Sequence, residues 1–115
     1  MERIYKEHVK EAQGRHKEIP IINVLPKESY LKEHIPGSIN IPFESQDQFI
    51  RDVENATKSK GHKVILYCSS EECDCSEKAA KALEEAEFPY VLLYTGGMQD
   101  WKKSGEVIES GNKKQ

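Results

Sequence analysis

At 115 residues, with 32% charged and 37% hydrophobic side chains and a formal net charge of -3, the chain is sized for one domain that closes its own core without disulfide staples. Its slight acidic excess excludes the basic footprint of a nucleic-acid binder, and no segment approaches the roughly 18 apolar residues of a membrane span. The amino-terminal stretch MERIYKEHVKEAQGR is charged throughout and lacks the apolar run of a secretion signal, so a cytoplasmic, reduced protein is expected.

In chain order, Ile4, Tyr5, Val9 and Ala12 recur at helical spacing before Gly14 and predict a first helix. Ile19 to Leu25 (IPIINVL) is mostly apolar and β-branched, as a strand covered on both faces requires. Pro26 suits a first helical position, so KESYLKEH reads as a short helix. Pro36 and Gly37 then force a turn before SINI, a brief strand. Ser45 with Gln48 fits a capping box, and Phe49, Ile50, Val53 and Ala56 supply the apolar face of the next helix. Lys58 to His62 is a polar connection. VILY is a second strongly strand-like run, and Ala79, Ala80, Leu83 and Ala86 mark a helix with a small-residue face that Pro89 stops. VLLY at Val91 to Tyr94 is a third clear strand, TGG a tight turn, and Met98 to Lys103 a last helical turn carrying Trp101. Apolar strands alternating with amphipathic helices predict an α/β fold with a parallel sheet covered on both sides. One domain over residues 1–110 is expected, with a frayed tail at 111–115.

All three cysteines lie within Cys68 to Cys75. Cys68 stands at the carboxyl end of a predicted strand and just before a helix, where ligands gather in sheets of this kind. Free loop amides and the positive end of the following helix favour an anion there, a thiolate included, and lower a thiol pKa by about one to several units. That geometry makes Cys68 a nucleophile. As a small apolar residue ending a buried strand it would instead be inert.

Three blocks decide between these. Tyr30 to Ser38 (YLKEHIPGS), the strand VILY running into Cys68, and Gly96 to Trp101 (GGMQDW) resemble, in their order and spacing, the rhodanese family of sulfurtransferases. The resemblance implies a single-domain rhodanese-like fold with a central, mainly parallel sheet of about five strands and helices on both faces. It implies that Cys68 carries sulfane sulfur as a persulfide, held by the amides and side chains of Ser69, Ser70, Glu71, Glu72, Cys73, Asp74 and Cys75, without a cofactor. The donor would be thiosulfate or a small-molecule or protein persulfide, the acceptor a thiol or other nucleophile, and the protein a monomer. Two successive attacks at sulfur, with backbone donors around the anion, suffice for such chemistry.

The chain departs from the family pattern in its loop. The usual basic residue five places after the cysteine is Cys73, the sixth place is Asp74, and Ser76 comes two residues late. The helix starts either at Ser76 or earlier, with Asp74 and Glu77 as a capping box. Glu71, Glu72 and Asp74, with no Lys or Arg in the loop, each cost a nearby anion on the order of 1 kcal/mol, so poor use of dianionic thiosulfate is expected. The usual Asp-Val-Arg of the early strand reads Asn23-Val24-Leu25, without the charged pair. Phosphatases sharing this fold need an arginine where Asp74 stands, which excludes that activity here.

Cys73 and Cys75 are candidate resolving thiols that accept the persulfide or close a disulfide with Cys68. Their spacing from Cys68 lacks the paired two-residue gaps of structural zinc, so no metal is assigned. The alternatives to transfer are a non-catalytic binding or sensing module with the acidic loop as contact surface, and a thiol redox switch. By the resemblance His34 packs and hydrogen-bonds and does not act as a base. Trp101 packs the Gly96-Gly97 turn against the core, and the two glycines permit close backbone approach to the loop.

Overall fold

The computed structural model describes residues 1–14, 18–58 and 61–111. Ten elements alternate along it. They are β1 (Glu2–Ile4), α1 (Lys6–Gln13), β2 (Ile21–Asn23), α2 (Lys27–Lys32), β3 (Ser38–Asn40), α3 (Gln46–Thr57), β4 (Val64–Tyr67), α4 (Cys75–Glu85), β5 (Val91–Tyr94) and α5 (Gly97–Lys103). Among the described residues the strands form one five-stranded sheet, ordered β1-β5-β4-β2-β3, with every pairing parallel.

The period-2 alternation of a strand divides the core between two faces. Ile22, Val64, Leu66 and Leu93 point to one side, where Phe49 and Val53 of α3 and Ala79, Ala80 and Leu83 of α4 cover them. Ile21, Ile65, Tyr67 and Tyr94 point to the other, against Val9 and Ala12 of α1 and Met98 and Trp101 of α5. The predicted α/β fold with helices on both faces is thus the one observed.

The first helix is shorter than its spacing predicted. Glu2–Ile4 is an edge strand paired with β5, and α1 starts at Lys6. Ile4 is the only buried residue of β1, so a strand of three residues leaves no alternation to read. β2 is likewise narrower than Ile19 to Leu25. Ser45 caps α3 by accepting from the Gln48 amide at 3.4 Å. In the expected polar connection, residues 59–60 lie outside the described residues, as do residues 112–115 of the expected tail.

A buried polar network surrounds Asn23 at the end of β2, where the sequence carries no charged pair. The Tyr67 hydroxyl accepts from Asn23 Nδ2 at 2.9 Å and from the Ile35 amide at 3.0 Å. It donates to Ser38 Oγ at 2.9 Å, because the Ser38 proton is committed to the Ile35 carbonyl at 2.6 Å. Asn23 Oδ1 accepts from the Leu25 amide at 2.9 Å. Burial pushes the Tyr67 pKa up to about 12, so the phenol stays neutral. The amide at position 23 suits this network, because from full burial it both donates to Tyr67 and accepts from Leu25, whereas a carboxylate could only accept.

Tyr67→Phe is therefore expected to leave two donors and one acceptor side without a partner. It should cost about 2–4 kcal/mol of folding stability, at about 1–3 kcal/mol per orphaned buried group. Urea unfolding checks this, and a loss below about 1 kcal/mol would contradict the network's role.

Candidate active site

Cys68 follows β4 immediately and is 1% exposed. It lies at the carboxyl end of the sheet between β4 and β2, where the chain turns to β5 on one side and to β3 on the other, the crevice that open parallel sheets use for ligands. The loop after it curls back on itself, with the Cys73 amide donating to the Ser70 carbonyl at 3.1 Å. The Cys68 thiol consequently faces the Cys73 carbonyl at 3.4 Å, Ser76 Oγ at 3.4 Å and the Ser70 carbonyl at 3.9 Å.

Of the two helix starts, the structure takes the earlier. α4 opens at Cys75 with Asp74 as the residue before it, but no capping hydrogen bond forms. The Asp74 carboxylate turns instead to Lys78 Nζ at 3.5 Å, which brings a cation next to the acidic loop.

The start of α5 clamps the loop from the other side. The Met98 and Gln99 amides donate to the Cys68 and Ser69 carbonyls at 2.9 and 2.7 Å. Gly97 makes this approach with φ +62°, and a Cβ there would lie 2.5 Å from the Cys68 carbonyl oxygen. The close contact expected of the glycine pair is therefore made by Gly97.

The donors are shared between two sulfurs. At Cys68, burial raises the thiol pKa, the Ser76 hydroxyl and amide lower it, and neighbouring Cys73 raises it; the net direction is up. The expectation of an acidified Cys68 is reversed because its sulfur is enclosed and two of its nearest oxygens are carbonyls, which cannot stabilise an anion. At Cys73, burial also acts upward, but hydrogen bonds from the Cys68 thiol, the Cys75 amide, and the hydroxyl and amide of Ser69 outweigh it, and the pKa falls. Cys75 is raised by burial first and by its two cysteine neighbours next. The amides expected to converge on Cys68 thus serve Cys73 more.

A cavity of about 520 Å³ opens beside this cluster. Its walls include Cys73, Ser76 and Glu71, Thr95 after β5, and Arg3 and Tyr5 from the end of β1. Arg3 is a cation the loop sequence does not contain, paired with Glu77 at 3.6 Å. Ser76, Arg3, Tyr5 and Thr95 were not among the predicted site residues. Ser76 was legible as the displaced Ser of the family pattern and Thr95 follows β5 beside β4, whereas Arg3 and Tyr5 reach the site only through the pairing of β1 with β5. Glu71, Glu72, Asp74 and Ser69 are exposed and Ser70 is half-buried. A second cavity, about 510 Å³ and lined by Ile4, Ala12, Ile65 and Tyr90 among others, sits toward the amino ends of the strands, away from Cys68.

His34 takes no part in the cluster. It is buried, stacks on Tyr30 with centroids 3.8 Å apart, and donates from Nδ1 to the Tyr30 carbonyl at 2.7 Å. Trp101 is buried and donates to the Val107 carbonyl at 2.7 Å. Among the described residues no three His, Cys, Asp or Glu side chains converge on a point suited to a metal ion, and none of the helices is long and apolar enough to cross a membrane.

A thiol at a strand end, enclosed by a loop that leads into a helix amino terminus in an all-parallel sheet, defines a cysteine-centred α/β domain. Residues 6–104 match the rhodanese-like domain, and the chain belongs to that family. It is 30% identical over 108 residues to a thiosulfate:glutathione sulfurtransferase of Saccharomyces cerevisiae, with 86% of this chain and 76% of that protein covered. It is 28% identical over 95 residues to an HTH-type transcriptional regulator of Mycobacterium tuberculosis, covering 82% of this chain but 39% of the regulator. In fold it is similar to a thiosulfate sulfurtransferase from Pseudomonas aeruginosa, with a TM-score of 0.82 at 21% identity, covering 97% of this chain and 21% of that one.

Proposed function

We propose that the protein is a sulfurtransferase that carries sulfane sulfur as a persulfide on Cys68 between a donor and a nucleophilic acceptor. The observation that carries this is the enclosed Cys68 thiol at the end of β4, with Ser76 Oγ and the Cys73 carbonyl each at 3.4 Å. Family membership and the likeness to the yeast sulfurtransferase support it.

The chemistry needs no cofactor. Cys68 reacts as its thiolate, and its proton ends on the thiolate that the donor releases. The thiolate attacks the outer sulfur of a persulfide R–S–SH, forming Cys68–S–SH and releasing R–S⁻, which leaves as R–SH. An acceptor thiolate attacks the outer sulfur and returns Cys68 to its starting state. Ser76 donates to whichever sulfur carries negative charge. The carboxylates of Glu71 and Glu77 at the cavity oppose dianionic thiosulfate and favour a donor with less charge, with Arg3 as the balancing cation.

The test is to weigh reduced protein, acid-quenched during the first turnover with thiosulfate or a low-molecular-weight persulfide. A gain of one sulfur atom, about 32 Da, is expected, larger with the persulfide. No gain from either donor rejects sulfur transfer.

A further inference from the structure

We propose that Cys73 is an internal acceptor, which displaces hydrosulfide from the Cys68 persulfide, closes a Cys68–Cys73 disulfide and so releases the sulfane sulfur as sulfide. The proposal rests on the persulfide reading of Cys68 and adds a second outcome for the bound sulfur.

The geometry selects Cys73 over Cys75. The turn from Ser70 to Cys73 folds the loop back, so that the residue five places on returns to its own strand end. The Cys68 thiol meets the Cys73 carbonyl at 3.4 Å. Cys73, held beside Cys68 in this way, is placed to attack the inner sulfur of a persulfide, with hydrosulfide as the leaving group. Cys73 also lines the 520 Å³ cavity, which gives departing hydrosulfide a way out, while Cys75 is absent from its walls.

Reactivity points the same way. A thiolate attacks and a thiol does not, and of the three cysteines Cys73 is the one whose pKa is lowered. The hydrogen bonds that lower it come from Cys68, Cys75 and Ser69.

The step balances without an outside oxidant. Loading converts Cys68–S⁻ and R–S–SH into Cys68–S–SH and R–S⁻. Attack by Cys73–S⁻ then forms the Cys68–Cys73 bond, breaks the sulfur–sulfur bond of the persulfide and expels HS⁻. The two thiols are oxidised to a disulfide, and the sulfane sulfur is reduced to sulfide. Two molecules of a low-molecular-weight thiol restore the dithiol, leaving as their own disulfide.

The experiment uses the full chain, reduced, freed of reductant and kept anaerobic, with one equivalent of a low-molecular-weight persulfide. Wild type is expected to release about one sulfide per protein, lose two titratable thiols and finish about 2 Da lighter. Cys73→Ser should retain the added sulfur and release sulfide at least about tenfold more slowly, while Cys75→Ser behaves as wild type. Circular dichroism establishes that each variant is folded. Release from Cys73→Ser at the wild-type rate, or a wild type that keeps the added sulfur and all its other thiols, overturns the proposal. If neither wild type nor Cys73→Ser gains sulfur at any time, the persulfide reading itself has failed, an outcome distinct from those two.

Discussion

Cys68→Ser is expected to abolish the sulfur gain and to lower transfer to a thiol acceptor by at least about a hundredfold, since a serine hydroxyl neither ionises near neutral pH nor forms a persulfide. Oxygen is smaller than sulfur, so the pocket formed by Ser70, Cys73 and Ser76 accepts it without overlap. The hydroxyl also finds acceptors already in place, in the carbonyls of Ser70 and Cys73. The stability change should therefore stay within about 1 kcal/mol, and urea unfolding separates a lost reaction from a lost fold. Transfer by Cys68→Ser at the wild-type rate would make Cys73 or Cys75 the carrier and leave Cys68 a packing residue.

Gly97→Ala should damage both fold and site. Alanine at φ +62° pays the left-handed penalty of about 1–2 kcal/mol. The added Cβ also falls 2.5 Å from the Cys68 carbonyl oxygen and 2.9 Å from the Ser69 carbonyl carbon. These are backbone atoms that cannot rotate away, so either α5 or the loop must move. Together about 2–4 kcal/mol of stability is expected to be lost, and sulfur loading with it, because the Met98 and Gln99 amides fix the carbonyls of Cys68 and Ser69. Gly105 provides the control. It has φ +76° with nothing within 4 Å of the added carbon, so Gly105→Ala should show the conformational penalty alone, about 1 kcal/mol, with loading intact. Equal losses in the two variants would mean that the approach of Gly97 to the loop is unimportant.

The central sheet was legible because β4 and β5 are apolar at every position, and α3 and α4 carry clear amphipathic faces. β1 was not, since a three-residue strand with a single buried side chain carries no period. That one omission also hid Arg3 and Tyr5, which enter the cavity only because Ile4 pairs with Tyr94 at the far edge of the sheet. The position of Cys68 could be read from its strand. The sharing of donors could not, because it depends on where the Ser70–Cys73 turn sends the fifth residue of the loop. Asn23 shows the same limit: its sequence neighbours suggest a missing charge, and only the Tyr67 hydroxyl 44 positions away explains why an amide belongs there.

The backbone bonds from Met98 and Gln99 to Cys68 and Ser69 have a consequence for how the protein is made. The reactive loop is finished by residues about thirty positions downstream of it, so a ribosome exposes all three thiols well before their clamp emerges. During synthesis the cysteine loop therefore stays without these two backbone bonds until the last helix docks. Chains interrupted before residue 97 would keep all three cysteines and lose the clamp on their loop.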